Sequence, residues 1–415
     1  MIERALSQIF RALGRLFAYP ILILLYLLWP IVRIKIGMLR ASRIGHFSSN
    51  TETFLRRRAL HIYDSECIYI LMCDPRRVSN RQLLKMYKRD LVIVDKASVY
   101  DFFTGLRHIF QKTKFYQHTR STSREYREFI DTTSSLSFVG SELNEGHRFL
   151  RNYGLLDKNS WFVCVYARDS TYLSTSVLHK GHTNKWSYHD YRDGDIDTYV
   201  EAIEYIIQLG GFVFRMGNMV GKDVDYHHEK FFDYGISDSR SDFLDIFLSA
   251  NCRFFIGDTG GLGFVPIAFD VPFVGVNWTP FGLPPLGENS IFVPKRIRSR
   301  ETHEYVSFVE GIEKGLDAEH DGNSVSNIGY EYENSTPRQI VAATKEIIGR
   351  LNSKQPRLDE ADSLLHRYRC EFLPMISGSN IESLPSRDFI VNNKDLYFPP
   401  EDLSHSVKET RIAEQ

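Results

Sequence analysis

The sequence predicts an α/β protein with two parallel-sheet domains facing a cleft, preceded by a membrane-associated helical segment. Three observations support this. Short apolar strands alternate with helical stretches in two successive series along the chain. A strand, a tight glycine loop, a short helix and a second strand follow one another at 253–278. The first 33 residues combine an amphipathic pattern with an uncharged apolar run. A length of 415 residues is enough for two or three domains.

The overall composition is that of a globular protein and narrows the function classes. Hydrophobic residues make up 43% and charged residues 25% of the chain, and the formal net charge is −1. So balanced a charge does not favour nucleic acid as a partner. The five cysteines are odd in number and form no C-x-x-C pair. A reduced, cytosolic catalytic portion without a zinc site is the natural interpretation.

Residues 1–33 are predicted to attach the protein to membrane lipids. Apolar side chains recur at helical spacing over 2–17, and Arg4, Arg11 and Arg15 fall on the opposite face. An uncharged run follows to residue 32, slightly short of the roughly 20 residues that a spanning helix needs. Basic residues on both sides fit a simple spanning orientation poorly. We therefore expect a monotopic or re-entrant anchor on the cytoplasmic face. A single-pass span and a surface helix packed on the domain are the alternatives.

Residues 34–155 predict the first α/β domain. Strands are expected at 34–39, 67–72 and 91–94, and helices at 48–60 and 80–89. Ser49, Asn50 or Thr51 would cap the helix at 48–60. The part at 101–150 is rich in charge and aromatic residues, and a solvated helical stretch is favoured over an acceptor-facing loop.

Residues 156–351 predict the second α/β domain, and 352–415 form a C-terminal extension with polar, partly extended character. Strands are expected at 161–166 and 212–216. Helices are expected from the capping-box match at Thr198 and at 241–251 and 337–351. The stretches 315–336 and 352–362 resemble linkers. Both domains are thus of Rossmann type, in which ligands bind at the carboxyl ends of the strands.

The glycine loop at 258–261 is the most distinctive local feature. Apolar strands at 253–257 and 271–276 flank Asp258, Thr259, Gly260 and Gly261 and a helix at 262–269. Two adjacent glycines let the backbone approach a bound group, and a helix start presents free amide groups. The pattern indicates a seat for a diphosphate. An ordinary βαβ turn without a ligand is the alternative.

Charged residues follow or end two apolar strands of the second domain. Arg168 and Asp169 come directly after the strand 161–166, and Arg215 ends the strand 212–216. A guanidinium suits phosphate oxygens, and Asp169 could act as a base, although a structural Arg–Asp pair is the alternative. Arg215 needs either an anionic ligand or a carboxylate partner. Asp238 and Ser239 precede a helix start, where a nucleotide contact or helix capping by Ser239 or Ser241 is expected.

Histidines supply the remaining candidates. His46, after the first strand, is the best-placed base from the first domain, with a packing or capping role as the alternative. The loop at 179–197 contains His179, His182 and His189, but without the spacing of a metal site. A lid over a bound ligand is favoured there, and neither a metal nor another cofactor is expected.

Four segments carry a resemblance to a known family: RIGHF, VYARDSTYL, YRDGDIDTYVEAIEYIIQLGGFVFRMG and SDFLDIFLSANCRFFIGDTGGLGFVPIAFDVPFVGVNWTP. The chain resembles, over about residues 33–310, bacterial glycosyltransferases associated with the inner membrane and often linked to surface polysaccharide. It is more loosely similar to GT-B enzymes such as ADP-heptosyltransferases, whose Asp-[Ser/Thr]-Gly-Gly loop binds the nucleotide diphosphate. The strand end at Arg168 resembles the His-x-Arg element of O-fucosyltransferases, except that this chain has Tyr166 at the position of the histidine. Leu262, Gly263 and Phe264 stand where the GT-B loop usually carries a histidine.

The resemblance implies a metal-independent GT-B glycosyltransferase. It would move a sugar from a nucleotide-sugar donor on the second domain to a glycan or lipid-linked acceptor at the cytoplasmic face of the bacterial inner membrane. Arg168, Arg215 and the amides of 259–261 would neutralise the departing diphosphate, and Asp169 or His46 would activate the acceptor. A non-catalytic membrane-bound module that binds a nucleotide sugar or glycan is the alternative. A phosphatase or kinase ranks low, because neither a P-loop nor a D-x-D-x-[TV] motif occurs.

Overall fold

The computed structural model describes residues 2–155, 157, 159–169, 190–218, 221–352, 359–376 and 381–400. The chain forms two compact units. Unit 1 comprises Met1–Glu145 with Ser241–Phe247, and unit 2 comprises Gly146–Arg240 with Leu248–Gln415. The boundary at 145 lies ten residues before the predicted one, and a short later segment returns to unit 1.

Unit 1 is built on a four-stranded parallel sheet. Its strands are β1 (Arg33–Met38), β2 (Cys67–Met72), β3 (Val92–Val94) and β4 (Tyr116–Gln117), in the order β3-β2-β1-β4. Its helices are α1 (Ile2–Leu28), α2 (Ile44–Ala59), α3 (Arg81–Tyr87), α4 (Ala97–Phe110), α5 (Tyr126–Ile130) and α6 (Gly140–Asn152), the last continuing into unit 2. The predicted strands are confirmed. The helix predicted at 48–60 begins earlier, at Ile44, so Ser49, Asn50 and Thr51 lie buried inside α2 rather than capping it.

The N-terminal segment is one continuous helix, α1, and not the two successive pieces that the sequence pattern predicts. Pro20 lies inside it. By length and composition α1 is apolar enough to cross a membrane, with a mean hydropathy of 1.6 over its best window. Most of its large apolar side chains are exposed, and Leu16, Ile23 and Leu27 each expose 60% or more of their surface.

A narrow stripe of α1 packs on α4. Ala18, Leu22 and Leu25 are buried there, in one cluster with four aromatic or aliphatic side chains: Phe103, Leu106, Phe110 and Phe115. Arg11 of α1 pairs with Asp101 of α4 at 3.6 Å. The two helix backbones are in direct contact where Gly14 meets Gly105, because a β-carbon built on Gly105 would lie 2.0 Å from the carbonyl oxygen of Arg11.

Unit 2 is built on a seven-stranded parallel sheet. Its strands are β5 (Phe162–Tyr166), β6 (Phe212–Arg215), β7 (Phe231–Phe232), β8 (Phe255–Gly257), β9 (Phe273–Trp278), β10 (Ile291–Pro294) and β14 (Leu384–Pro385). The strand order is β14-β10-β9-β8-β5-β6-β7. The helices of this part of the chain are α7 (Val200–Gln208), α8 (Asp242–Asn251), α9 (Phe264–Ala268), α10 (Phe308–Glu313), α11 (Gly322–Asn327), α12 (Pro337–Leu351), α13 (Glu360–Arg367), α14 (Arg387–Asn392) and α15 (Lys394–Tyr397).

A small antiparallel sheet takes its last strand from the stretch 315–336, which contains this strand and α11 and is not the predicted linker. It consists of β11 (Arg296–Ser299), β12 (Tyr305–Val306) and β13 (Tyr330–Glu333), in the order β12-β11-β13. The described part of the C-terminal extension is also more ordered than its polar composition suggests. Its strand β14 pairs with β10, so this part of the extension belongs to the sheet of unit 2. The predicted α/β class with parallel sheets is confirmed in each unit.

Candidate functional site

The candidate site lies at the carboxyl edge of the large sheet in unit 2. The chain runs from β5 outward to β6 and β7, then returns to the other side of β5 as β8. The loops after β5 and β8 therefore leave the sheet side by side and in opposite directions. Such a switch point is where open parallel sheets bind ligands. The loop after β5 contains Arg168 and Asp169, and the loop after β8 contains the glycine sequence at 258–261.

Asp258 is the centre of a buried hydrogen-bond network. Its carboxylate is fully buried and accepts from the Asn277 side chain at 2.9 Å, the Arg168 amide at 2.9 Å and the Tyr199 hydroxyl. Asn277 is itself fixed by the amide of Ser335, which donates to its Oδ1 at 2.6 Å. The Asp258 side chain thus ties the loop after β5 to the loop after β8 and fixes the position of both loops.

Gly194 closes the network from the loop at 190–195. A β-carbon on Gly194 would lie 2.2 Å from Asp258 Oδ2 and 2.8 Å from Asn277 Nδ2. Its amide donates to the Arg168 carbonyl oxygen at 3.0 Å. Glycine is required at this position because no side-chain atom fits beside the carboxylate.

Arg168 and Lys295 bring positive charge to the same edge. The Arg168 side chain is buried and pairs with Asp193. Lys295 follows β10, exposes 3% of its surface and donates to the carbonyl oxygens of Tyr191 at 2.6 Å and Asp193 at 2.9 Å. Two buried cations therefore hold the loop at 190–195 against the sheet edge.

Burial dominates the electrostatics of this network. It raises the pKa of Asp258 to about 6, although its donors and the charge of Lys295 act in the opposite direction. Burial also lowers the pKa of Lys295 to about 8, partly offset by the charge of Asp258. The pKa of the Arg168 guanidinium is lowered by burial as well. A further negative charge at this edge, such as a phosphate, would stabilise both cations.

The shifted pKa of Lys295 predicts a pH dependence of stability. Below pH 8 the lysine is charged in both the folded and the unfolded chain, and folding bears the cost of burying that charge. Between pH 8 and 10.5 the folded state holds fewer protons, so the free energy of unfolding is expected to rise, by up to about 3 kcal/mol. Urea unfolding of wild type and Lys295→Met across this range measures the effect. The rise should be missing in the variant, and parallel curves would contradict the prediction.

The glycine loop presents backbone donors at the switch point. Within the described chain, the amide groups of Thr259, Gly260 and Gly261 have no hydrogen-bond acceptor. Gly260 packs against the ring of Tyr166, and a β-carbon there would lie 2.6 Å from Tyr166 Cε1. The following helix, α9, has only five residues, shorter than the predicted 262–269. The anion-binding potential of the loop therefore rests on the amides rather than on a helix dipole.

Arg215 has protein partners. Its guanidinium is buried and donates to Asp233 at 2.7 Å and to the Lys222 carbonyl oxygen at 2.6 Å. The sequence left open whether Arg215 binds an anionic ligand or a carboxylate of the protein, and the structure shows the carboxylate of Asp233. Arg215 thus holds the loop after β6 in place through Asp233 and Lys222.

The other predicted site residues are divided between the units. Asp169 accepts from the Gly221 amide at 3.0 Å. Asp238 and Ser239 are exposed in a turn, and Ser241 caps α8 by accepting from the Leu244 amide at 3.1 Å. His46 belongs to unit 1, where it lies in the first turn of α2 and lines a cavity. The histidines His179, His182 and His189 lie outside the described residues, within which no cluster of metal-binding side chains occurs.

Sequence reasoning missed Tyr199, Asn277, Asp193, Gly194 and Lys295. Lys295 follows an apolar strand directly, which is the signal that identified Arg168, and the same rule could have found it. The other four come together only through the strand order and the loop at 190–195, which local patterns do not predict.

No protein-family model and no curated protein matches the chain, so the resemblance to the bacterial family stays a prediction. Solved structures with a similar fold include a glycosyl transferase family 9 protein from Veillonella parvula. It is 13% identical, with 77% of this chain and 98% of that chain covered and a TM-score of 0.43. ADP-heptose LPS heptosyltransferase II from E. coli is 12% identical, with 63% and 90% covered and a TM-score of 0.37. The heptosyltransferase TibC in complex with ADP-heptose is 12% identical, with 78% of each chain covered and a TM-score of 0.37.

Proposed function

We propose that the protein is a GT-B-type glycosyltransferase that binds a nucleotide-sugar donor at the switch point of unit 2. One observation carries the proposal. The open amides of 259–261 and the buried Arg168 lie on the two loops that leave the sheet between β5 and β8. Three backbone donors and a guanidinium are the groups that a diphosphate needs.

The same groups would assist the transfer. When the bond between the sugar and the diphosphate breaks, negative charge grows on the leaving diphosphate. Fixed amides and a buried cation stabilise that charge more strongly than water can, because they are already oriented when the reaction begins. Arg168 is held in place by Asp193, and its backbone by Asp258. The chemistry needs no metal ion, since the loop and the arginine supply the neutralising groups.

The acceptor is proposed to be a hydroxyl of a lipid-linked or cell-surface glycan, at the cytoplasmic face of the bacterial inner membrane. The support is α1, which exposes a broad apolar face while its narrow buried stripe keeps it on α4. An apolar helix face with Arg4, Arg11 and Arg15 on the opposite side suits the boundary between lipid headgroups and acyl chains. The four buried cysteines and the exposed Cys370 are all free thiols, as suits a reducing compartment.

The test is turnover of a panel of nucleotide sugars by the purified full-length protein, with release of nucleoside diphosphate as the measured product. Arg168→Ala is expected to lower the rate about 100-fold, the order of loss seen when one oriented donor is removed from a transition state. The substitution keeps the Arg168 amide that Asp258 uses, and Lys295 still holds the loop at 190–195 through two carbonyl oxygens. An unchanged thermal midpoint verifies that the variant is folded. Arg338→Ala, on the exposed surface of α12, is the matched control and should keep the wild-type rate.

Two outcomes would count against the proposal. If the wild type binds nucleotide sugars but turns none of them over, with or without a glycan acceptor, the chain is a binding module and not an enzyme. If Arg168→Ala and Arg338→Ala turn over donor at the same rate, the diphosphate does not bind at the switch point of unit 2.

A further inference from the structure

Unit 1 contains a cavity of about 390 Å³ at the carboxyl edge of its own sheet. The chain runs from β1 outward to β2 and β3, and returns on the other side of β1 as β4. Residues 38–43, after β1, and residues 118–120, after β4, both line the cavity. The cavity therefore lies at the switch point of the unit 1 sheet, the position at which such sheets bind ligands.

The walls of the cavity are strongly basic. Five arginines from four separate segments line it: Arg40, Arg43, Arg77, Arg107 and Arg120. Asp74 is the one acidic residue among the lining residues, and its carboxylate accepts three hydrogen bonds from Arg76, which is not part of the lining. Among the lining residues the arginines thus outnumber the carboxylates by five to one.

Three of the five arginines repel one another without a carboxylate beside them in the described part of the chain. Within the described chain, no carboxylate lies within ion-pair distance of Arg40, Arg107 or Arg120. The pKa of Arg40 is lowered, first by partial burial and then by the charges of Arg120, Arg107 and Arg43. Holding these cations together costs free energy, and a bound anion would offset that cost.

Hydroxyl and imidazole groups complete the lining. Tyr100, Tyr116, His46, His118 and Thr119 all face the cavity. Such groups suit hydroxyl-rich or phosphorylated ligands, whereas a purely apolar ligand would leave them without partners. Guanidinium groups on several sides match the tetrahedral oxygens of phosphate better than the two oxygens of a single carboxylate.

We propose that this cavity, the basic pocket of unit 1, binds the phosphate or diphosphate group of the sugar acceptor. The pocket rests on the proposed function for its role, since an acceptor is needed only if the protein transfers a sugar. It narrows the acceptor to a phosphorylated class. The helix α4 contributes Tyr100 and Arg107 to the pocket and also holds α1, so a lipid-linked diphosphate could reach the pocket from the membrane surface. A soluble phosphorylated acceptor shares the same chemistry.

The experiment measures the affinity of the full-length protein in detergent for inorganic pyrophosphate by titration calorimetry. All variants carry Arg168→Ala, so that the diphosphate seat proposed in unit 2 contributes as little as possible. Adding Arg40→Gln and Arg120→Gln is expected to weaken binding by about tenfold for each arginine removed, or about 100-fold together. Adding Arg127→Gln instead, at a side chain that is 73% exposed and does not line the pocket, should leave the affinity unchanged.

Arg40 and Arg120 are exposed, so the variant should fold, and an unchanged thermal midpoint verifies this. Equal affinity in the Arg40→Gln/Arg120→Gln and Arg127→Gln variants would overturn the pocket. That result would not contradict the nucleotide-sugar site proposed in unit 2, because turnover of nucleotide sugars by the wild type tests that site separately. Conversely, arginine-dependent binding in a protein without turnover would support the pocket and refute the transfer.

A second arm identifies the source of the phosphate. Farnesyl diphosphate replaces inorganic pyrophosphate in the same titrations. Binding more than ten times tighter, with the same dependence on Arg40 and Arg120, supports a lipid-linked acceptor. Equal affinity for the two probes supports a soluble phosphorylated acceptor. If neither probe depends on the two arginines, the proposal is wrong.

Discussion

Replacing Gly194 with alanine is expected to lower the free energy of unfolding of unit 2 by about 4 kcal/mol. The added methyl group would lie 2.2 Å from Asp258 Oδ2 and 2.8 Å from Asn277 Nδ2. Overpacking of this kind costs about 1–3 kcal/mol, and a buried donor that loses its acceptor costs about 1–3 kcal/mol more. Urea or thermal unfolding followed by circular dichroism measures the loss.

The clash cannot be relieved by a small side-chain movement. Asp258 is held by three donors on three different segments, so moving its carboxylate away from residue 194 breaks at least one of these hydrogen bonds. Moving the loop at 190–195 instead separates Lys295 from the carbonyl oxygens of Tyr191 and Asp193. Moving the loop also separates Asp193 from the Arg168 side chain, so nucleotide-sugar turnover should fall together with stability.

Gly349→Ala is the matched control. A β-carbon on Gly349 meets no atom within 4 Å, and the residue lies inside α12. Alanine is the better helix former, so this variant should be about 0.5–1 kcal/mol more stable than the wild type. If the two alanine variants changed stability by the same amount, the steric explanation for Gly194 would have to be abandoned.

The fold could be predicted where the signal is local. Apolar runs such as CIYILM at β2 and FVCVY at β5 form strands because each run is long enough and buried. The small antiparallel sheet escaped prediction because β11 and β13, RIRS and YEYE, alternate charged and apolar or aromatic residues without an apolar run. Their pairing supplies the order that their composition does not suggest.

The candidate site could be predicted only in part, because some of its residues carry a local signal and others meet only in the folded chain. Arg168 and Asp258 follow apolar strands, and the strand order places both at one switch point. Asp258 was predicted as part of the diphosphate seat, but its carboxylate is the centre of a buried hydrogen-bond network. Only the folded structure shows this, because the Tyr199 and Asn277 side chains come from distant parts of the sequence. The basic pocket of unit 1 is a further case. Its arginines are spread from Arg40 to Arg120, and sequence spacing gives no sign that they line one cavity.

The N-terminal helix α1 has two different faces, an exposed apolar face and a stripe that packs on α4. The periodicity of its first half predicted an apolar face toward lipid, and Leu6, Ile9 and Leu13 are indeed exposed. The face that packs on α4 is a different one, marked by small residues such as Gly14 and Ala18. Small residues let helix backbones approach closely and so gain dispersion energy over the whole contact. The docked stripe and the exposed apolar face can therefore be tested separately.

Replacing Gly105 with leucine is expected to detach α1 from α4 and to destabilise unit 1 by about 4 kcal/mol. Even the β-carbon would lie 2.0 Å from the Arg11 carbonyl oxygen and 2.9 Å from Arg11 Cα, and backbone atoms of a helix cannot yield. The helices would have to separate, which removes Ala18, Leu22 and Leu25 from contact with Phe103 and its neighbours. The cost is that of overpacking together with loss of buried apolar contacts. Thermal unfolding and limited proteolysis measure it.

The same variant separates docking from membrane binding. Its exposed side chains on α1, such as Leu16 and Leu27, are untouched, so flotation with phospholipid vesicles should remain at the wild-type level while unit 1 becomes less stable. Gly140→Leu, also in unit 1 but with no atom within 4 Å of its β-carbon, is the control and should leave stability within about 0.5 kcal/mol. Loss of vesicle binding in Gly105→Leu would mean that α1 needs its dock on α4 to face the lipid. Unchanged stability would show that the crossing at Gly14 and Gly105 does not hold α1 in place.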